Sequence, residues 1–154
     1  MNAALAAWKR FERWPFGKAL FSRFICWKAP YFATIHPRFE EFRPGLARVS
    51  MRKRRAVTNH IGTVHAIAMC NLAELAAGTM TEISIPPAMR WLPKGMTVEY
   101  LKKAESDVVA VATLAEVAEG AAKDVPVTVE VKDRSGELVC RAVITMWVSP
   151  RKKN

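Results

Sequence analysis

NHIGTVHAIAMCNLAELAAG, residues 59–78, is the stretch on which the fold turns. A polar loop, Asn59 to Thr63, runs into a predicted helix over Val64 to Gly78 that is apolar on nearly every face. A helix of that kind must be enclosed by protein or membrane, and about 15 residues are too few to cross a bilayer. His65, Asn71 and Glu74 are therefore costly guests in a core element, since a carboxylate is almost never fully buried without a partner. Glu74 needs either a structural partner, such as Asn71 three residues away, or a chemical task.

Working outward, strands flank this helix on both sides. Tyr31 to Ile35 and Leu46 to Arg54 read as strands around a Pro44-Gly45 turn, and Pro86-Pro87 stops whatever continues from the helix. Beyond it, Met96 to Leu101, Val108 to Val117, Val125 to Asp133 and Glu137 to Val148 are strand candidates. The third alternates Val127, Val129 and Val131 with Thr128, Glu130 and Lys132, and Ser135-Gly136 supplies a hairpin turn. Helices, two strands, one buried helix and four strands make an α+β order rather than βαβ repeats. A sheet of five to six antiparallel strands curling around the single apolar helix would bury it best.

From Asn2 to about Trp27, apolar residues such as Leu5, Trp8, Phe11, Leu20, Phe21 and Phe24 recur at helical spacing among Lys9, Arg10, Arg13, Lys18 and Arg23. Two amphipathic helices broken near Pro15 and Gly17 fit this pattern. They suit packing across the domain or a partner subunit, and their basic and aromatic mix also suits peripheral contact with a membrane surface. The expected division is an N-terminal amphipathic helical extension over 1–28, a single domain over 29–150 and a basic tail over 151–154.

At 154 residues and 51% apolar composition the chain suits one globular domain. Its net charge of +10 suits nucleic acid, an anionic membrane surface, or a polyphosphate ligand such as a nucleotide or coenzyme A. Cys26, Cys70 and Cys140 are odd in number and far apart, which points to a reducing, cytoplasmic setting without a disulfide framework. Neither a signal peptide nor a long charge-free apolar run is apparent, so a soluble protein is expected. Nucleotide-binding loops, a Gly-x-Ser-x-Gly elbow and His-Glu-x-x-His are all missing, and neither a cofactor nor a metal site is expected.

The element order, together with the segment 59–78, resembles the hotdog-fold acyl-CoA thioesterase superfamily, closest to the phenylacetate-pathway type and an uncharacterised branch near it. Those relatives carry an Asn, then a His-Gly-Gly entering the helix, then an Asp or Glu nine residues past the His; Asn59, His65 and Glu74 stand at those spacings. Ala66 and Ile67 replace the paired Gly, placing side chains where relatives leave backbone open. The resemblance implies an α+β hotdog fold with extra N-terminal helices, hydrolysis of an acyl thioester, and a homo-oligomer, either a dimer or a dimer of dimers.

Thioester hydrolysis needs donors aimed at the developing oxyanion and a group that attacks or activates water. A helix N-terminus supplies free N–H groups; with Thr63 as the expected N-cap, Ala66 N–H is the oxyanion candidate, and His65 and Asn59 orient the carbonyl. Nine residues of helix separate Glu74 from His65 by about 13.5 Å along the axis and about half a turn around it. The two cannot meet in one chain, so a shared carbonyl requires two subunits, with Glu74 as nucleophile or general base. Arg54, Arg55, Arg90 and Lys94 are the candidate contacts for coenzyme A phosphates. Two rival readings are a non-catalytic acyl-CoA-binding protein of the same fold and a basic protein that binds nucleic acid or anionic membrane. Nucleic acid ranks last, because no recognised binding motif accompanies the charge.

Overall fold

The structure, a computed structural model, describes residues 2–151, so the expected basic tail lies, from residue 152 on, outside the described residues. In chain order it contains α1 (Ala3–Phe11), α2 (Gly17–Lys28), a 3-10 turn (Pro30–Ile35), β1 (Arg38–Arg43), β2 (Leu46–Met51), a short 3-10 turn (Arg55–Val57), α3 (Ala66–Ser84), β3 (Met89–Tyr100), β4 (Val108–Thr113), β5 (Lys123–Asp133) and β6 (Leu138–Pro150). The strands form one six-stranded sheet in the order β1-β2-β4-β5-β6-β3, antiparallel at every pairing. α3 lies against it and touches every strand. This is the α+β hotdog arrangement of one helix held by a sheet.

Alternation explains the contact. Val127, Val129 and Val131 of β5 are fully buried, as are Leu72, Ala73 and Ala76 of α3. Burying a side chain the size of Leu72 is worth about 1.5–3 kcal/mol. The helix runs past Gly78 to Ser84, where Met80 and Ile83 are buried in the core, and the hydroxyls of Thr79, Thr81 and Ser84 are satisfied by the carbonyls of Leu75, Ala77 and Met80 one turn back. Gly78 is no stop signal here; a Cβ at that position would lie 2.8 Å from the Trp91 ring.

Three expectations about the elements are corrected. Tyr31 to Ile35 is a 3-10 turn, not a strand: Pro30 sits where a missing N–H does no harm, and the Thr34 hydroxyl bonds back to the Tyr31 carbonyl. The strand before Pro44-Gly45 is instead Arg38–Arg43, whose alternation is broken by a bulge between Phe39 and Glu41 that turns both Phe39 and Phe42 inward. β3 begins at Met89, well before Met96, and passes through Pro93, which is tolerated because β3 is an edge strand.

α1 and α2 join the same core. Trp8 packs edge-on against Phe21 at 5.1 Å between ring centroids, and Phe21 against Phe39 at 5.1 Å. The outer face of α2 is apolar too: Phe16, Leu20, Trp27 and the following Tyr31 recur at helical spacing, with Phe16 79% and Trp27 75% exposed. Among the described residues no helix is long and apolar enough to cross a membrane.

Candidate active site

Asn59 shapes the loop before α3. Its Oδ1 accepts the N–H groups of Ile61 and Thr63, and its Nδ2 donates to the Thr63 hydroxyl. Those bonds occupy Thr63, and Val64 then pairs with Thr58 as an isolated bridge, holding the chain extended for two more residues. The expected Thr63 cap is thus corrected: His65 is the N-cap, and its Nδ1 accepts the Ile67 N–H at 3.1 Å. A neutral His65 consequently carries its proton on Nε2, which faces away from that bond. The N–H of Ala66 has no hydrogen-bond partner among the described residues, as expected of a first helical turn.

A cavity of about 390 Å³ opens beside this helix start, lined by residues that include Asn59, Ala66, Tyr100 and Lys103. Tyr100 lines this cavity, although no motif marks it. Its hydroxyl lies 3.2 Å from the Cys70 Sγ; that hydrogen bond, aided by partial burial, pushes the phenol up to about 12. Burial, helped by Cys70, raises the neighbouring Cys140 thiol to about 11. Lys102 and Lys103 bring positive charge to the wall of this cavity.

Glu74 corrects the picture of a helix enclosed all round. It is exposed, as are His65 and Ile67, the last by 57%. The sheet covers one side of α3 and the segment Pro30–Ile35 part of the other; Ile67 and Glu74, seven residues apart, share an exposed strip, while His65 caps the helix start. Asn71 on that side is buried and does not pair with Glu74: its Nδ2 donates to the Thr34 hydroxyl at 3.3 Å, and its Oδ1 has no partner. Glu74 lines two cavities, one shared with Lys94, Met96 and Ile144, the other running under the N-terminal helices.

The four basic candidates do not converge within one chain. Lys94 lies beside Glu74 but is paired with Asp124 at 2.9 Å and sits over the Trp147 ring. Arg54 donates to the Thr34 carbonyl, with its Nε buried and unpartnered. Arg90 donates to the Ser149 hydroxyl at 3.3 Å, and Arg55 is exposed in the short 3-10 turn after β2. Among the described residues no three His, Cys, Asp or Glu side chains are grouped to hold a metal ion.

The fold and its structural neighbours define the class: a hotdog-fold protein of the thioesterase superfamily. The chain matches, over residues 17–148, the family described as a domain of unknown function (DUF4442), and it belongs to that family. A solved structural-genomics protein of unstated function and organism is similar to it at 50% identity and a TM-score of 0.83, over 96% of this chain and 98% of the other. A Pseudomonas aeruginosa protein of unknown function, named a probable thioesterase, aligns at 25% identity and a TM-score of 0.73, over 80% of this chain and 89% of its own. A Haemophilus influenzae thioesterase shares the fold at 14% identity and a TM-score of 0.71, over 80% and 85% of the two chains. No curated protein matches the sequence.

Proposed function

We propose that this protein hydrolyses an acyl thioester, with coenzyme A as the carrier, at a site shared by two copies of the chain. The observation that carries this reading is an exposed stretch of α3 in which a free Ala66 N–H and an outward His65 mark the helix start and an exposed Glu74 stands farther along, about half a turn around the axis. About 13.5 Å of helix axis lies between them. A second copy, packed along this stretch in the opposite direction, would bring its Glu74 to the first copy's helix start. β3, an edge strand exposed over most of its length, supports such a neighbour.

In that arrangement the thioester carbonyl oxygen accepts from Ala66 N–H and His65 Nε2–H. Glu74 of the second copy takes a proton from water as the water oxygen attacks the carbonyl carbon. The two donors hold the resulting oxyanion. Its collapse breaks the C–S bond, and the departing thiolate takes the proton from Glu74, leaving a carboxylic acid and a thiol. Direct attack by the Glu74 carboxylate, with water cleaving the resulting anhydride, uses the same geometry. Asn59 acts one step back, by setting the loop that ends at the cap.

Hydrolysis of an acyl-CoA panel by wild type and Glu74→Gln tests the reading; equal rates for the two proteins would remove Glu74 from the mechanism. Saturable binding with no turnover in wild type would select the non-catalytic acyl-CoA-binding alternative. The exposed stripe Phe16, Leu20, Trp27 and Tyr31, interleaved with Arg23 and Lys28, supports a second reading, contact with an anionic bilayer surface. Co-sedimentation with phosphatidylserine vesicles that falls with salt and with Trp27→Ala tests it; no binding at low salt would dismiss it.

A further inference from the structure

We infer that the cavity between the N-terminal helices and α3 holds the acyl chain of the substrate, an inference that rests on the thioesterase reading. The cavity has a volume of about 640 Å³, inside the range of roughly 300–1,000 Å³ usual for small-molecule sites. Phe24 and Phe32 form its roof, Leu75 and Gly78 its floor on α3, and Trp91 and Pro93 its side wall on β3. Glu74 stands at one end and Glu82 at the other.

Two features fit it to an aliphatic chain. The polar groups at the Glu82 end are already satisfied: Glu82 accepts from Asn2 Nδ2 at 2.9 Å and from Trp91 Nε1 at 2.8 Å. At the rim the Lys28 ammonium lies over the Phe24 and Trp27 rings, 5.9 and 5.6 Å from their centroids. The bare backbone at Gly78 lets the Trp91 indole lie directly on α3, where a Cβ would meet it at 2.8 Å. A side chain there would have to displace the ring that walls the cavity.

The cavity's position assigns its direction. Glu74, the proposed water-activating group, marks the thioester end, and the chain runs beneath α2 toward Glu82. Eight residues of helix between the two carboxylates make about 12 Å. At ~1.2 Å per bond, taken from the ~3.6 Å that an extended residue spans over three bonds, about ten carbons fill that length.

The test is binding, measured apart from turnover, with non-hydrolysable alkyl thioethers of coenzyme A from butyl to palmityl. Affinity is expected to rise about fourfold per added methylene up to about ten carbons and then level off. Thr79→Phe, placed on the α3 floor, and Ala29→Phe, placed on the opposite wall, should each move that break to shorter chains. Two independent walls keep the test valid if one variant fails to fold. Affinity that does not depend on chain length, or a break that neither variant moves, overturns the assignment. Wild-type turnover, measured beside the binding series, separates the two proposals: length-dependent binding without hydrolysis leaves the cavity standing and removes the chemistry, whereas hydrolysis with length-independent binding does the reverse.

Discussion

The indole N–H of Trp91 donates to the Glu82 carboxylate at 2.8 Å, and Asn2 donates to the same carboxylate at 2.9 Å. One side chain of α3 thus ties the edge strand β3 and the start of α1 to the central helix. Because that bond fixes the Trp91 ring above Gly78, Gly78→Ala sets two effects against each other. Ala is the better helix former by about 1 kcal/mol, while forcing a methyl against a held ring costs about 1–3 kcal/mol. A net loss of about 1 kcal/mol is expected, read from the urea unfolding midpoint; a gain in stability would show the ring to be free to move.

His65 has two separable tasks, capping α3 through Nδ1 and presenting Nε2–H outward. His65→Ala should cost about 1 kcal/mol of stability as a lost cap, together with about 10²–10³-fold in kcat as a lost oxyanion donor. His65→Ser restores a capping oxygen without the outward donor. Thermal unfolding of the Ser variant should return toward wild type while acyl-CoA hydrolysis stays low; recovery of both would reduce His65 to a structural cap.

A site assembled from two chains makes inactive variants complement each other. Glu74→Ala and His65→Ser homodimers are each expected to be inactive, but mixing them in equal amounts, with subunit exchange, should restore roughly a quarter of wild-type activity. That fraction follows from random pairing of two-fold symmetric dimers, half of which are mixed and hold one intact site of two. Persistent inactivity despite demonstrated exchange would place both residues in the same chain's chemistry.

The Cys70–Tyr100 contact predicts alkaline behaviour. Hydrogen bonding to Cys70 raises the Tyr100 phenol to about 12, above the unfolded value near 10. A raised folded value means its stabilisation is intact below pH 10 and is lost as pH climbs through 12. Tyr100→Phe should flatten the stability curve in that window. Cys140, raised to about 11 by burial, should resist iodoacetamide at pH 8 in the native protein and react promptly in urea, as followed by mass spectrometry.

At the acid end, Asp107 joins three segments: it accepts the Lys53 backbone N–H and the Arg134 guanidinium, each at 2.8 Å. Those two bonds, the Lys53 one first, lower its pKa. A lowered folded value stabilises above the unfolded carboxylate pKa, and that contribution disappears as pH falls through the folded one. Asp107→Asn should therefore be less stable than wild type at pH 7, and the gap should narrow as pH falls below the ordinary carboxylate range, measured by denaturant titration across that range.

The helix and the Val-rich strands were legible because their period is unbroken: β5 alternates cleanly from Val125 to Val131. β1 and the first half of β3 were not, and a bulge is responsible in both. It brings Phe39 and Phe42, three apart, to one face, and in β3 the shift between Pro93 and Gly95 breaks the alternation. Thr79, Thr81 and Ser84 look like the end of a helix until their back-bonded hydroxyls are seen. The candidate site was legible as a spacing of Asn59, His65 and Glu74, whereas the cap, Tyr100 and the cavity under α2 depend on contacts between segments far apart in sequence.

That same interruption in β3 bears on how the molecule avoids sticking to the wrong strand. A long bare edge invites any extended peptide to add to it, the first step toward aggregation. Pro93 offers no N–H, Lys94 places a charge beside it, and the register shifts before Gly95. A foreign strand in regular register cannot follow that edge from end to end, so the edge favours a neighbour bent and bulged as it is.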